Sequence, residues 1–359
     1  MGIIKKIKNY LYNKFLNKRI SQYKYVHLMF NDKFNKPFVD FLNRNFDKNE
    51  HIVLCKRWFK EHPFPEGENV IEINNLKGLD FNCNEKLICH SLFDLELVDY
   101  LYNHQSILKE KAYWVMWGGD LYNAPRDEKN DFVRNNFFAY CAVANGDEKI
   151  AQQSYSNKAK TFITPYVGPI SDQMLLNAEK NKHSTINIQL NNSCDAKILE
   201  MMNVLSKYKD KNIDIRTILS YGDLKYKDEV IKKGQEIFGT RFSYIDKYLS
   251  PEDYCDYMAQ NDILVFNQNR QQGIGNALMG LALGLKVFIQ SKVTTYEYLT
   301  QHGFNIFDTD LINDMSYENF TKYLKEEKEH NIDCGIKFYQ NKPIKEWENL
   351  FEYEDNKYE

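Results

Sequence analysis

The feature that most constrains the fold is an alternation of short apolar runs with amphipathic helical stretches, which occurs in both halves of the chain. In the second half the apolar runs lie at residues 186–190, 213–219, 242–245, 263–266 and 287–289. Alternation with short connections implies parallel sheets, and right-handed crossovers put helices on both faces of each sheet. The sequence therefore predicts an α/β protein with two Rossmann-like domains, a number that suits 359 residues.

Turn residues indicate where one domain ends and the next begins. The Gly168-Pro169 pair marks a linker. We therefore expect an N-terminal domain at 23–167 and a C-terminal domain at 168–335. Residues 336–359 are predicted to form a charged C-terminal helix that packs back on the N-terminal domain through Trp347.

Composition argues against several classes of protein. The net charge of −3 gives no reason to expect a nucleic acid as partner. The seven cysteines are scattered and form no C-x-x-C, so neither a disulfide framework nor a zinc site is indicated. Because no run of about 18 apolar residues occurs, no segment is predicted to span a membrane.

Residues 1–22 are predicted to form a basic amphipathic helix that contacts a membrane. The first twenty residues hold six lysines or arginines and no acidic residue. An apolar stripe at helical spacing and its flanking lysines supply the expected contacts: Ile4, Lys5, Ile7, Lys8, Leu11 and Phe15. Such a helix can lie in the interface of an anionic bilayer. Ordinary packing on the domain is the alternative, while the lack of a continuous apolar core disfavours a signal peptide.

The stretch 262–290 has the strongest signal for a binding site, since it predicts a strand, a polar loop, a helix and a second strand. Gly273 and Gly275 allow the backbone to approach a ligand closely. Asn276 is expected to cap the helix, and Arg270 supplies a charge, which together suit a phosphate or diphosphate. The predicted donor-binding residues of this loop are Arg270, Gln271, Gln272, Gly273, Ile274, Gly275 and Asn276.

Two other interpretations of this loop remain open. A tight turn that binds nothing is common between a strand and a helix. A dinucleotide fingerprint requires G-x-G-x-x-G, but the third glycine here is Gly280, and Gln290 stands where an acidic residue for ribose is expected.

Further polar loops follow predicted strands, and ligands of parallel sheets bind beyond the carboxyl ends of the strands. These loops are His90-Ser91, Gly118-Gly119-Asp120, Asn192-Ser193 and Ser220-Tyr221-Gly222. We expect them to converge on a cleft across which the two sheets face each other, with the donor on one side and the acceptor on the other. The residues predicted to hold the nucleotide or its phosphates are Asn192, Ser193, Ser220 and Tyr221.

Two segments resemble the signature stretches of a known family. Trp114 to Tyr122 (WVMWGGDLY) and Arg270 to Gly275 (RQQGIG) are similar to those of the 4-acetamido-4,6-dideoxygalactose (Fuc4NAc) transferases, glycosyltransferase family 56. These enzymes act in enterobacterial common antigen synthesis. The His90-Ser91 turn and the loop from Asn192 to Asp195 also resemble that family, whose pattern has a glycine where this chain has Cys194.

The resemblance implies a two-domain glycosyltransferase of the GT-B type that is inverting and requires neither a metal ion nor another cofactor. It implies a dTDP-linked acetamido sugar as donor and a polyprenyl-diphosphate-linked saccharide as acceptor. The expected location is the inner face of the bacterial cytoplasmic membrane. A UDP-sugar donor, or a membrane-associated nucleotide-sugar-binding protein without turnover, remains an alternative.

Inverting transfer requires a base for the acceptor hydroxyl and positive groups for the leaving diphosphate. Asp120 is the preferred base, because it follows a strand and two glycines in the acceptor-side domain; capping of the next turn is its alternative role. His90 is the second candidate, although such a histidine often packs against a turn. The expected acceptor-side wall consists of Trp117, Gly118, Gly119 and Tyr122, with sugar stacking on the two aromatic rings.

The chain contains one Asp-x-Asp, Asp308-Thr309-Asp310, a motif that suggests a metal-dependent glycosyltransferase of another fold. It lies beyond the strands of the second alternation, where a solvated turn is expected. No metal ligand is therefore predicted.

Overall fold

The computed structural model describes residues 2–155, 158–179, 183–191 and 193–354, and for residues 2–9 and 196 it describes the backbone alone. The chain divides into two compact units. Unit 1 comprises Met1–Pro169 together with Pro343–Glu359, and unit 2 comprises Ile170–Lys342.

Unit 1 is built around a seven-stranded sheet within the described residues, and its paired strands all run parallel. The strands are β1 (Tyr25–Phe30), β2 (His51–Lys56), β3 (Val70–Glu72), β4 (Lys86–His90), β5 (Ala112–Met116), β6 (Ala139–Ala142) and β7 (Lys160–Ile163). They lie in the order β3-β2-β1-β4-β5-β6-β7. The direction of winding therefore reverses between β1 and β4, which is the switch point where sheets of this kind bind ligands.

Helices cover both faces of this sheet, as the continuous apolar strands require. They are α1 (Gly2–Ile20), α2 (Asn35–Asn45), α3 (Leu95–Asn103), α4 (Gln105–Lys111), α5 (Gly119–Tyr122), α6 (Glu128–Asn135), α7 (Asp147–Tyr155) and α16 (Ile344–Phe351).

The C-terminal helix α16 belongs to unit 1. Trp347 is fully buried in one of its apolar clusters, and the carbonyl of Phe351 accepts hydrogen bonds from Lys86 Nζ at 2.8 Å and Tyr25 Oη at 3.0 Å. The break from unit 2 lies just before Pro343, not at residue 336, because proline has no amide to donate and disfavours helix in the residue before it.

Unit 2 contains a parallel sheet of six strands within the described residues. The strands are β8 (Ile186–Leu190), β9 (Ile213–Ile218), β10 (Phe242–Ile245), β11 (Ile263–Phe266), β12 (Lys286–Ile289) and β13 (Phe307–Asp308). Their order is β10-β9-β8-β11-β12-β13. The switch point of this sheet therefore lies between β8 and β11.

The helices of unit 2 connect these strands and complete its core. They are α8 (Asp172–Asn177), α9 (Ala196–Leu205), α10 (Lys227–Phe238), α11 (Pro251–Ala259), α12 (Ile274–Ala282), α13 (Thr294–Gln301), α14 (Tyr317–Thr321) and α15 (Lys325–Gln340). Short 3₁₀ helices lie at Ser206–Tyr208, Leu224–Tyr226, Gly239–Arg241 and Thr309–Asp314.

Within residues 10–20, the part of its length for which side chains are described, the helix α1 is fastened to unit 1 by one face. Asn13 and Asn17 donate from Nδ2 to the carbonyls of Lys77 and Gly78, each at 2.9 Å, and Leu16 is 3% exposed. Two of the predicted membrane contacts face solvent on the other side, since Leu11 is 58% and Phe15 67% exposed. The other four, Ile4, Lys5, Ile7 and Lys8, lie outside the described side chains. None of the helices in the described part of the chain has the length and hydropathy that a bilayer crossing requires.

Candidate functional site

The predicted donor loops of unit 2 lie side by side at its switch point. Gln272, in the loop after β11, donates from Nε2 to Ser193 Oγ in the loop after β8. The amide of Asn267 donates to Asn191 Oδ1 across the same gap at 3.2 Å. Asn192 lies outside the described residues. Two of the loops predicted to bind the donor therefore lie together at the edge where a doubly wound sheet binds ligands.

The loop after β9 joins this pair through the backbone. The amide of Cys194 donates to the carbonyl of Tyr221 at 2.8 Å, and the amide of Asp223 donates to the carbonyl of Cys194 at 2.9 Å. Only glycine suits position 222, which has φ of +99°, because a Cβ there would lie 2.4 Å from the Cys194 carbonyl oxygen. Cys194 itself is buried in the core of unit 2, so its difference from the family's glycine affects packing.

The helix α12 starts at a different residue from the one expected. Its N-cap is Gly273 in the left-handed conformation, with φ of +71°. Asn276, predicted as the cap, is the third residue of the helix, and its amide donates to the Gly273 carbonyl at 2.9 Å. Glycine takes the cap because the turn needs a backbone conformation that asparagine adopts less readily.

This start leaves the first turn of α12 available to a ligand. The amides of Ile274 and Gly275 donate to no atom in the described part of the chain, as is usual for the first residues of a helix. No atom outside the adjoining backbone lies within 4 Å of the position that a Gly275 Cβ would take. The arrangement offers two amides and the positive end of a helix dipole to an anion.

Arg270 lies in the loop that leads from β11 to α12. Its Nη1 donates to the carbonyl of Gln271 at 2.9 Å. Asp195 caps α9 by accepting from the amide of Lys197 at 2.8 Å. Burial raises the pKa of Asp195, whereas hydrogen bonds from Lys197 and Gln268 and the positive charge of Arg270 act in the opposite direction. The positive charge of Arg270 is therefore close enough to act on the Asp195 carboxylate.

Sequence reasoning missed three polar residues of this neighbourhood. Asn267 follows β11 directly, is buried, and leaves Oδ1 without a hydrogen-bond partner among the described residues. Tyr339 donates from Oη to the carbonyl of Gly275 at 3.3 Å. Tyr254 interacts electrostatically with Tyr339. Burial raises the pKa of both phenols well above the ordinary value. The sequence did indicate Asn267, because it directly follows a predicted strand. No local pattern in the sequence connects Tyr339 with Gly275, which lies 64 residues away.

In unit 1, Asp120 is not placed to act as the predicted base. Its side chain is 2% exposed. Oδ2 accepts from Trp114 Nε1 at 2.7 Å and from the amide of Leu92 at 3.0 Å, and Oδ1 accepts from the amide of Trp117 at 2.8 Å. Burial raises the pKa of Asp120 and these hydrogen bonds lower it. The carboxylate joins the turns that follow β4 and β5, which is a positioning role.

His90, the second predicted base, is part of a buried row of histidines. Its Nε2 lies 3.0 Å from His27 Nδ1, and His27 Nε2 lies 3.1 Å from His51 Nδ1. Its other ring nitrogen is hydrogen-bonded to Tyr166 Oη. Burial lowers the pKa of His90 and His51 to about 3, and that of His27 well below its ordinary value. Because both nitrogens of His90 are engaged and the ring is neutral, it does not fit a base that contacts the acceptor directly.

The predicted acceptor-side residues separate into two groups. Trp117 is half-buried, and its ring centre lies 5.5 Å from that of Phe30 and 5.6 Å from that of Tyr166. Tyr122 is fastened inward, since its Oη donates to Asp147 Oδ1 at 2.7 Å. Gly118 and Gly119 form the N-cap and first residue of α5. Trp117 therefore belongs to an aromatic wall at the carboxyl edge of the sheet, whereas Tyr122 stabilises the unit.

The Asp-x-Asp motif has local partners. Asp308 Oδ1 accepts from the amides of Asp310 at 3.0 Å and Ser291 at 3.3 Å, which makes it a cap of the 3₁₀ helix at Thr309–Asp314. Asp310 pairs with Lys292 at 3.5 Å. No grouping of three or more His, Cys, Asp or Glu side chains suited to a metal ion occurs among the described residues.

Comparison with known proteins gives the context for this site. Residues 70–355 match the model of the family described as 4-alpha-L-fucosyltransferase glycosyl transferase group 56. No curated protein matches the chain.

Several solved structures have a similar fold. WaaG, a glycosyltransferase involved in lipopolysaccharide biosynthesis, aligns with a TM-score of 0.58 and 9% identity, over 92% of this chain and 100% of that one. The α,α-trehalose 6-phosphate synthase of Burkholderia multivorans aligns with a TM-score of 0.65 and 8% identity, over 92% and 97%. S. aureus MnaA, in a co-structure with UDP, aligns with a TM-score of 0.54 and 11% identity, over 94% of this chain and 100% of that one. The expected GT-B fold, with two Rossmann-like units on parallel sheets, is confirmed.

The role of Asp120 in joining two turns predicts a structural penalty for the Asp120→Asn variant. Three N–H groups now donate to the carboxylate, and the side-chain NH₂ of an asparagine would face one of them. We expect the free energy of unfolding to fall by about 1–3 kcal/mol, the cost of an unsatisfied buried donor. Asp99→Asn is the control, because Asp99 accepts from Lys129 at the surface and its loss is expected to cost about 0.5 kcal/mol or less. Urea unfolding followed by tryptophan fluorescence compares them, and equal losses would contradict the assignment.

The histidine row predicts that unit 1 loses stability in mild acid. The unfolded chain protonates these imidazoles near pH 6.5, whereas the pKa of His51 and His90 in the folded chain is about 3, so the unfolded state binds more protons between these values. Stability present above pH 6.5 is therefore lost as the pH falls, by about 3 kcal/mol between pH 6.5 and 5.5 for three neutral histidines.

Tryptophan fluorescence in urea reports on unit 1 alone, since Trp58, Trp114, Trp117 and Trp347 all lie in it. The His51→Phe variant removes one member of the row, and its loss over the same interval is expected to be about one third smaller. A free energy of unfolding that stays constant from pH 6.5 to 5.5 would show that the row is not neutral in the folded protein.

Proposed function

Because the chain belongs to glycosyl transferase group 56, we propose that it transfers an acetamido-dideoxyhexose of the Fuc4NAc type from a dTDP-sugar to a polyprenyl-diphosphate-linked saccharide. The family makes the chain a glycosyltransferase with a nucleotide-sugar donor and a glycan acceptor. The reaction would serve bacterial surface polysaccharide synthesis. The observation that carries the donor part of the proposal is the first turn of α12 at the switch point of unit 2.

The donor diphosphate would bind at that turn. The amides of Ile274 and Gly275 are directed away from their helix, and the helix dipole adds positive potential at the same place. Arg270 supplies a full charge, which also acts on the Asp195 carboxylate. Charge that develops on a departing diphosphate is stabilised by donors already in position, because they need no reorganisation. These groups support a transfer in which the protein itself, without a metal ion, stabilises the leaving group; an inverting transfer remains the expectation from the family resemblance.

The nucleoside side of the donor would face the loops after β8 and β9. Ser193 is buried and accepts from Gln272, Ser220 is half-buried and Tyr221 is exposed. Asn267 Oδ1 has no partner within the described residues and suits a ligand N–H or O–H. Amide and hydroxyl groups of this kind support recognition of a neutral base or ribose.

Donor binding is tested by thermal shift with dTDP-, UDP- and GDP-sugars in the presence of a chelator. We expect the largest rise in melting temperature with the dTDP-sugars. The Arg270→Ala variant is expected to bind dTDP about 10- to 150-fold more weakly, corresponding to about 1.5–3 kcal/mol for a hydrogen bond to a charged group.

Arg241→Ala is the matched control, because Arg241 is an exposed arginine of the same unit, and its dTDP affinity should equal that of the unchanged protein. A largest shift with UDP-sugars would favour the alternative donor. Unchanged affinity after Arg270→Ala would remove Arg270 from the diphosphate site, and no shift with any nucleotide would contradict the proposal.

The acceptor lipid implies a membrane surface, and α1 supports contact with one at the inner face of the cytoplasmic membrane. Its exposed side chains at Tyr10, Leu11, Tyr12 and Phe15 form an apolar band. The first twenty residues contain six basic side chains and no acid. An apolar band flanked by unopposed positive charge fits an anionic bilayer interface.

Membrane contact is tested by co-sedimentation with vesicles of phosphatidylglycerol and phosphatidylcholine. Replacing Leu11 and Phe15 by serine leaves the anchoring residues Leu16 and Ile20 in place and is expected to weaken binding at least about tenfold, because two apolar side chains no longer enter the bilayer. Leu95→Ser is the control, since Leu95 is equally exposed on another helix of unit 1. Undiminished binding of the α1 variant would exclude this surface.

A further inference from the structure

Ser91 has a backbone conformation that serine seldom adopts. Its φ is +73°, and Ser91 and Asn191 are the non-glycine residues with positive φ in the described part of the chain. Each directly follows a strand at the switch point of its sheet, β4 in unit 1 and β8 in unit 2. Asparagine is readily accepted in this region, whereas serine is strained there. Strain of this kind concentrates at functional sites.

Two hydrogen bonds hold the strained turn in place. The amide of Ser91 donates to the carbonyl of Val115 at 2.9 Å, and the amide of the next residue, Leu92, donates to Asp120 Oδ2 at 3.0 Å. The buried carboxylate of Asp120 thus fixes the direction in which the serine side chain leaves the backbone.

The hydroxyl of Ser91 is buried without a partner. The residue is 2% exposed, and its Oγ makes no hydrogen bond within the described residues. An unsatisfied buried hydroxyl costs stability, as does the strained backbone beneath it. Packing alone would be better served by a glycine at this position.

The hydroxyl borders a small cavity at the switch point of unit 1. The cavity has a volume of about 20 Å³, and Phe30, Lys56 and His90, the last residues of β1, β2 and β4, line it together with Ser91 and Asp94. This volume accommodates one group of the size of a water molecule. Ligands of doubly wound sheets bind at this place.

The charges beside the cavity indicate which group it accepts. Lys56 Nζ lies 2.5 Å from Asp94 Oδ2 and 2.6 Å from Glu96 Oε2, so one positive charge meets two negative ones. An anionic phosphate or carboxylate would be repelled, whereas a neutral hydroxyl can both donate to and accept from serine. The Glu96 side chain is 38% exposed, so the ion pairs of Lys56 extend from the cavity to the surface.

We propose that Ser91 binds one hydroxyl group of the saccharide acceptor in this cavity. The assignment rests on the proposed function for the identity of the acceptor as a saccharide. Ser91 is a specificity-determining residue in this scheme, and Asp120 is the positioning residue that holds it.

The test compares full-length Ser91→Gly and Ser91→Ala with the unchanged protein. Both variants remove the hydroxyl, but glycine also relieves the strain, so the melting temperature should be higher for Ser91→Gly than for Ser91→Ala. With the best donor of the thermal-shift panel and total membrane lipid of the source bacterium as acceptor, both should raise the apparent KM for lipid about tenfold. The KM for the donor should not change. A stable Ser91→Gly protein with an unchanged apparent KM for lipid would overturn the assignment.

A second measurement separates this inference from the proposed function. Methyl α-D-glucopyranoside and methyl N-acetyl-β-D-glucosaminide are titrated into ¹⁵N-labelled protein, and the amide resonances of residues 91 and 92 are followed. Shifts in the unchanged protein that disappear in Ser91→Gly would support a saccharide site even if no lipid product forms, an outcome that would count against the proposed function alone. No shift with either glycoside, together with no effect of Ser91→Gly on transfer, would refute the saccharide site.

Discussion

The two amides that open α12 have no acceptor inside their own helix, and the structure of unit 2 arranges the neighbouring groups around them. Gly273 takes the left-handed cap that turns the chain away from Ile274 and Gly275. Arg270 precedes this turn in the same loop, and its charge acts on Asp195 at the start of α9. Because β8 and β11 are the neighbouring strands at the switch point of the sheet, this positive region lies where a parallel sheet leaves space for a ligand. Family membership implies a nucleotide-sugar donor, and this geometry offers an anion site that suits a diphosphate.

Unit 1 uses buried polar groups to fix the geometry of its own switch point. The carboxylate of Asp120 joins the turns after β4 and β5, and the row of His51, His27 and His90 crosses three neighbouring strands. Apolar side chains would fill the same core with less desolvation. The polar groups define one arrangement of the edge, including the strained turn at Ser91, and a defined edge is what recognition of a saccharide requires.

The parallel sheets and the position of the polar loops that follow their strands could be predicted from sequence, because both depend on local patterns. Continuous apolar runs such as 263–266 predict buried strands, and polar residues directly after them predict the binding edge. The short strand β3 (Val70–Glu72) was not predicted, because it lies at the edge of its sheet and is half-exposed, so it has no apolar run. The boundary between α6, which ends at Asn135, and β6, which starts at Ala139, is hard to place from sequence, because the apolar residues of so short a stretch fit both the helical and the strand period.

The chemistry of individual side chains was harder to predict, because it depends on contacts between distant residues. An aspartate after two glycines suggests a base, but its partner Leu92 lies 28 residues away and makes Asp120 a structural acceptor. The neutrality of His90 depends on the register that aligns β1, β2 and β4. The strain and the unpartnered hydroxyl of Ser91 leave no trace in the sequence beyond its position after a strand.

The amide resonances of Ile274 and Gly275 test the central claim most directly, in full-length ¹⁵N-labelled protein titrated with dTDP in the presence of EDTA. The account predicts that these two resonances move the most and reach a plateau without any added divalent ion. Resonances that stay in place while dTDP binds elsewhere, or that move only after Mg²⁺ is added, would contradict a diphosphate site built from backbone amides and Arg270.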